Sequence, residues 1–146
     1  MNFTIREIRT SDYVELISLF KEFAIFEKLP EKMTNSIDKM IAEQQYFKGF
    51  IAFNDFDQIV GYVTFFYAYY TWIGKSLYMD DLYVKEKFRG QGIGSKLINE
   101  IIKYAKTTNC HKVRWQVSEW NKPAIDFYKN LGASIDSVES NCDLLL

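Results

Sequence analysis

Between residues 77 and 95 the chain passes from an apolar, β-rich stretch, Leu77 to Val84, through Lys85–Arg89 into Gly90-Gln91-Gly92-Ile93-Gly94-Ser95. A strongly amphipathic helix begins there. No other segment limits the fold as tightly. Glycines let main-chain N–H groups approach an anion, and a helix N-terminus favours negative charge. Arg89 adds a charge-assisted contact. Two familiar phosphate motifs are excluded. A Walker A loop needs Gly-Lys-Ser/Thr, whereas Ser95-Lys96 follows Gly94. A dinucleotide fingerprint opens the first βαβ unit with an acidic residue roughly 20 positions on. This turn lies mid-chain, and Lys112 stands at that distance from Gly92. A tight structural turn that binds nothing stays open on this reading.

The rest of the chain reads around that turn. Phe3, Ile5 and Ile8 begin a short strand. Asp12 and Glu15 resemble a capping box for a helix carrying Leu16, Leu19, Phe20 and Phe23, which Pro30 ends or follows. A second helix spans about Asn35 to Gln44. Phe47–Phe53, Ile59–Tyr70 and Ser76–Val84 read as strands, the first two joined by Asn54-Asp55-Phe56-Asp57. Ile93, Leu97, Ile98, Ile101, Ile102 and Ala105 form the stripe of the helix after the glycine turn. Val113, Trp115 and Val117 alternate as a half-buried strand, and Ala124, Phe127, Tyr128 and Leu131 line a short helix stopped by Gly132. Ala133–Ser137 and Cys142–Leu146 are read as closing strands. The expected order is β-α-α-β-β-β-α-β-α-β-β: an α/β mixed central sheet flanked by helices, in one domain over 1–146.

Bulk properties narrow the partners. The formal net charge is −1 over 146 residues, so no whole-protein field favours nucleic acid or an anionic membrane. No run approaches about 18 apolar residues, and the N-terminus lacks a signal-peptide core. A cytoplasmic location follows by elimination. Cys110 and Cys142 have no metal-ligand spacing, and His111 has no ligand partners near it, so no metal is assigned.

Arg89-Gly90-Gln91-Gly92-Ile93-Gly94, placed between a central strand and a long helix, resembles the pyrophosphate loop of the GNAT superfamily of N-acetyltransferases. Further segments are similar to its diamine branch, the spermidine/spermine and thialysine N-acetyltransferases. These are Trp72-Ile73-Gly74-Lys75, Leu77-Tyr78, Asp81, Val84, Glu119-Trp120-Asn121, Pro123, Phe127-Tyr128-Lys129 and Gly132-Ala133-Ser134, with Lys21-Glu22, Ala24 and Glu27 in the first helix. The resemblance covers nearly the whole chain. It implies the GNAT fold and acetyl transfer from acetyl-CoA to a primary amine of a small cationic acceptor, a polyamine, diamine or thialysine, in a ternary complex. It also implies a homodimer, although the chain stops at Leu146, short of the family pattern. Another amine acceptor, such as an amino acid or a protein N-terminus, and an idle acyl-CoA sensor are the alternatives.

The chemistry needs an uncharged amine, a polarised carbonyl and a protonated leaving thiolate. An amine with a pKa near ~10.4 arrives protonated and needs a base. The resemblance implies that Asp80 takes this part, where polyamine enzymes carry Glu. Asp80 and Asp81 are neighbours, so a regular strand points them to opposite faces. Only a bulge lets both reach one site, and it would also free N–H groups near Leu82 for the thioester carbonyl. Tyr128 has the spacing of a core aromatic, and the resemblance makes it the general acid. Asn121 and Pro123 cap and start their helix. The resemblance lays the cofactor along Leu82, Tyr83, Val84, Arg89, Gly90, Gln91, Gly92, Ile93, Gly94, Ser95, Asn121, Pro123, Ala124 and Tyr128. It gives the acceptor Phe26, Glu27, Trp72, Asp80 and Asp81, the three acids forming an anionic cleft. Tyr70 stands where polyamine enzymes carry an acid, which disfavours spermidine and spermine.

Overall fold

In the computed structural model, which describes residues 2–146, the chain groups into two compact units, one ending at Trp115 and the other Gln116–Leu146. The first holds a five-stranded sheet in the order β1 (Thr4–Glu7), β2 (Lys48–Phe53), β3 (Ile59–Tyr70), β4 (Gly74–Val84) and β5 (Val113–Arg114). The first four strands pair antiparallel, and β5 joins β4 in parallel. Helix α1 (Tyr13–Phe26), the short α2 (Ile37–Ala42) and α3 (Ile93–Thr107) belong to this unit. The second unit carries α4 (Lys122–Asn130).

Strand periodicity decides which helix covers which face. Tyr62 lies on the face under α1, with its ring 5.1 Å from Phe20. Tyr83, its cross-strand partner, lies 5.1 Å from Phe23. Leu16, Ile17, Leu19, Met40 and Ile51 complete that core. Phe65, at odd spacing from Tyr62, meets Tyr104 of α3 at 5.0 Å on the other face. A Cβ on Gly61 would sit 3.0 Å from the Tyr83 carbonyl oxygen and an ordinary 3.4 Å from Ile93, so glycine eases the approach of β4 more than that of α3. The α3 stripe Ile93, Leu97, Ile98, Ile101 and Ala105 is buried as its periodicity requires.

Three expectations are corrected. Asp12 and Glu15 do not form a capping box. Asp12 instead accepts two bonds from Arg6 at 2.8 Å and one from the Arg9 amide at 2.7 Å, while Glu15 accepts the Ile59 amide at 2.9 Å. A guanidinium fork across the turn outcompetes a helix amide for the carboxylate. Strand β5 is two residues, not five, and its pairing stops at Arg114, two positions short of the place where β4 bulges and bends. Residues 133–146 hold no strand. Asp136, Ser137, Glu139, Ser140, Asn141 and Asp143 interrupt the apolar residues, and the segment is exposed almost throughout, so alternation buries no face there.

Helix α4 is built as its sequence suggests. Asn121 caps it, accepting the Ala124 amide, and Pro123 lies in its first turn. Gly132, at φ +98°, closes it: its amide reaches the Lys129 carbonyl and that of Ala133 the Tyr128 carbonyl, the paired bonds of a Schellman stop.

Candidate active site

The β3–β4 ladder slips by one residue at its centre. Thr64 pairs with Asp81 and Phe65 with Met79, so Asp80 is an extra residue without a partner. Below the slip, Met79 faces α3 with Phe65, which puts Tyr78 and Asp80 on the opposite face. Above it, Asp81 shares the face of Thr64, Tyr62 and Tyr83. The bulge thus carries both carboxylates to the α1 face, the condition under which the two can share a site. Thr64, 6% exposed, accepts the Asp81 amide on Oγ1 at 3.2 Å. Tyr62, fully buried, donates its hydroxyl to Asp81 Oδ2 at 3.0 Å.

Burial raises the Asp81 carboxyl to about 7, helped by the charges of Asp80 and Glu27 and opposed by the Tyr62 hydrogen bond. Desolvation raises Asp80 in the same direction, yet Asp80 is the more exposed of the two. Water at Asp80 favours its charge, so Asp81 is the member that titrates near neutral pH. Tyr62 stays protonated, since burial and both carboxylates push it well above its ordinary range. Glu27, at the C-cap of α1, belongs to the same electrostatic group. Three acids and no lysine or arginine among those influences make this an anionic patch.

On the same face, beyond the reach of α1, lie Phe66, Tyr70 and Tyr78 of β3 and β4. Phe66 and Tyr78 stack at 5.2 Å. Arg114, in register with Tyr78, holds its guanidinium 5.0 Å from the Tyr70 ring, and Lys112 holds its ammonium 4.3 Å from it. From Asp80 to the level of Arg114 is two residue steps, about 7 Å. The face therefore runs from carboxylates over aromatic rings to cations.

The glycine turn keeps its amides unused. Gly90 and Gly92 adopt φ +76° and +80°, and nothing lies within 4 Å of where either Cβ would stand. Among the described residues, no amide from Gly90 to Ser95 donates a hydrogen bond; the first to do so is Lys96, to the Gly92 carbonyl. Those amides and the N-terminus of α3 form an open cradle for an anion. Arg89 does not extend along it: Nε donates to the Val84 carbonyl at 2.8 Å and the guanidinium lies 4.7 Å from the Phe26 ring and 5.4 Å from Tyr83. Gln91 is exposed. The side chains of Tyr83 and Ile93 are committed to the two cores, so only their main chain is open to a ligand. Leu82 and Val84 are half-buried on the α3 face.

Phe26 thus meets Arg89 at the start of the turn, and Glu27 shares the electrostatic field of Asp80 and Asp81. Trp72 does neither. It sits fully exposed at the β3–β4 tip, about 20 Å along β4 from Asp80 at strand rise. Tyr128 is the buried residue of α4, its ring edge-on to Phe127 at 5.4 Å. Sequence reading missed Tyr62, Thr64, Lys112 and Arg114. Tyr62 and Thr64 carried one signal, a hydroxyl at alternate positions of an otherwise apolar strand. Among the described residues, no group of three or more His, Cys, Asp or Glu is placed to hold a metal, and no helix is long and apolar enough to cross a membrane.

The profile of the acetyltransferase (GNAT) family matches residues 8–133. A thialysine N-epsilon-acetyltransferase from Sus scrofa is 35% identical over 140 residues, covering 88% of this chain and 82% of its own. The Caenorhabditis elegans protein of that name is 35% identical over 129 residues, covering 87% and 80%. In fold, the chain is similar to an aminoglycoside acetyltransferase from an uncultured soil metagenomic sample, solved with trehalose. The TM-score is 0.83 at 22% identity, covering 98% of this chain and 97% of that one.

Proposed function

The chain belongs to the acetyltransferase (GNAT) family, and from that membership we propose that it moves an acetyl group from acetyl-CoA to the primary amine of a small cationic acceptor. The observation that carries this reading is the run of undonated amides from Gly90 to Ser95, in the turn that follows the strand bearing the bulged pair of carboxylates. The cradle fits a diphosphate: it offers several N–H donors, a helix N-terminus and no side chain in the way. The main chain of Leu82, Tyr83, Val84 and Gly90–Ser95 would hold the donor, with Arg89, Asn121, Pro123, Ala124 and Tyr128 assigned by resemblance. The donor supplies an activated thioester.

The chain's own groups do the rest. One carboxylate of the Asp80–Asp81 pair takes a proton from the acceptor's ammonium; the resemblance puts this role on Asp80. The neutral nitrogen then attacks, a C–N bond forms and the C–S bond breaks. Tyr128 protonates the departing sulfur and is reprotonated by the second proton lost from nitrogen, and the carboxylate returns its own to solvent. The Leu82 amide donates to the carbonyl oxygen as charge gathers there. Glu27 and Phe26 hold the cationic chain.

Among acceptors, the face favours an amino acid of the lysine type, such as thialysine, over a polyamine. Its ammonium would meet Asp80 and Asp81 while its carboxylate meets Arg114 and Lys112, a spacing close to that of an extended lysine-like chain. A polyamine would set a second ammonium against two cations. The relatives named for thialysine support this choice. The family match crosses from one unit to the other, which supports one transferase domain over 1–146. The free thiols Cys110 and Cys142 suit a reducing cytoplasm, and a homodimer is carried over from the resemblance.

Release of coenzyme A thiol against spermidine, spermine, putrescine, thialysine and lysine tests this reading. Thialysine or lysine should give the highest kcat/KM, and Arg114→Gln should lower it for the amino acids about tenfold while sparing putrescine. Silence with every amine, despite tight donor uptake, would turn the protein into an acyl-CoA sensor.

A further inference from the structure

The two carboxylates on the bulge are chemically alike but differently held. Asp80 is the unpaired, more exposed residue, and no hydrogen bond of its side chain is described. Asp81 is fastened at both ends: its amide to Thr64 Oγ1 and its Oδ2 to the Tyr62 hydroxyl. Thr64 supplies the acceptor that the slipped ladder no longer offers, so the Asp81 backbone cannot swing. Tyr62 is itself fully buried, packed at 5.1 Å against Phe20 and 6.2 Å against Tyr83. We propose that Tyr62 and Thr64 are positioning residues that make Asp81, rather than Asp80, the group that receives the acceptor's proton.

This inference rests on the acetyltransferase reading above and names its base. With Oδ2 occupied by a donor that never ionises, Oδ1 is the oxygen left to accept. One N–H bond of the acceptor's ammonium breaks, an O–H bond forms at Oδ1, and the neutral amine keeps the electron pair. Tyr62 keeps its own proton throughout. The charged groups facing Asp81 are Asp80 from its own strand and Glu27 from the end of α1, with Tyr62 from β3 opposing them. Burial first, and their repulsion second, make Asp81 basic enough to act near neutrality, whereas Asp80 supplies charge that attracts the ammonium.

Four variants of the full chain test the assignment: Tyr62→Phe, Thr64→Val, Asp81→Asn and Asp80→Asn. In Tyr62→Phe the carboxylate loses a hydrogen bond to its charged form. The acid limb of kcat/KM should move up by about one pH unit, with donor affinity unchanged. Thr64→Val removes the acceptor of the Asp81 amide and should lower kcat about tenfold with donor affinity unchanged. Asp81→Asn should cut turnover on the order of a hundredfold or more and abolish that limb. Asp80→Asn should raise the acceptor's KM and move the limb down, since a repelling neighbour is gone. An unmoved limb in Tyr62→Phe, or a limb lost with Asp80 and kept without Asp81, overturns the proposal. Carbon-13 titration of the aspartates reads the same shift without turnover. If Asp81 titrates as expected and no amine is acetylated, the acetyltransferase reading fails. If amines are acetylated and Tyr62→Phe leaves Asp81 unmoved, this inference fails alone.

Discussion

At the scale of single residues, Asp12 shows how a charge becomes a folding contact. It is 7% exposed and takes three hydrogen bonds from Arg6 and Arg9. The Arg6 hydrogen bond holds its carboxyl below the usual range, against the opposing effect of burial. A depressed carboxylate stabilises the fold above its unfolded pKa, near ~3.9, and loses that contribution as pH falls through the folded value. Asp12→Asn should therefore cost about 2 kcal/mol at pH 7, read as a lower urea midpoint. The gap to the parent should narrow as pH falls below ~4 and close once pH is below the folded value; a gap that did not narrow would mean lost packing rather than lost charge. Sequence marked Asp12 as a helix cap because its spacing to Glu15 was right, and spacing says nothing of Arg6 across the turn. Tyr128 poses the reverse case, a residue whose spacing reads as core and whose resemblance reads as acid. Tyr128→Phe should lower kcat on the order of a hundredfold while donor affinity in a direct titration stays put. Equal loss of both would make the ring structural.

At the scale of elements, the turn into α3 was the most legible part of the chain. Glycine spacing and the apolar stripe were both visible, and the helix begins within a residue of its expected start. Gly92 is the N-cap in the left-handed region with open space around it, so a side chain there is opposed by backbone strain alone. Gly92→Ala should cost about 1–2 kcal/mol and weaken acetyl-CoA binding measured by calorimetry. Gly94→Ala should stay as stable as the parent, since its Cβ would meet only Val84 at an ordinary 3.9 Å. If both lost stability alike, backbone conformation would not be the cause. Strand β5 and the segment after Gly132 were less legible. Alternation shows which residues suit a strand, and pairing needs a neighbour that runs straight, which the bent β4 does not provide.

For the whole molecule, a net charge of −1 hides a face that is anionic at one end and cationic at the other. Composition averages this away. The α/β order was readable because helix and strand periods differ, whereas the GNAT fold and the break at Asp80–Asp81 followed from the resemblance carried by the glycine turn and the segments around it. The partners of that break, Tyr62 and Thr64, were not, because cross-strand register lies seventeen to nineteen positions away in sequence. The unpaired residue also carries a lesson about what architecture demands. Were Asp80 deleted, Met79 and Asp81 would meet Phe65 and Thr64 in unbroken succession, and every side chain on both sides would keep the face it now has. The sheet has no use for the extra position. What Asp80 adds is a second carboxylate on the α1 face, at the cost of an unbroken ladder.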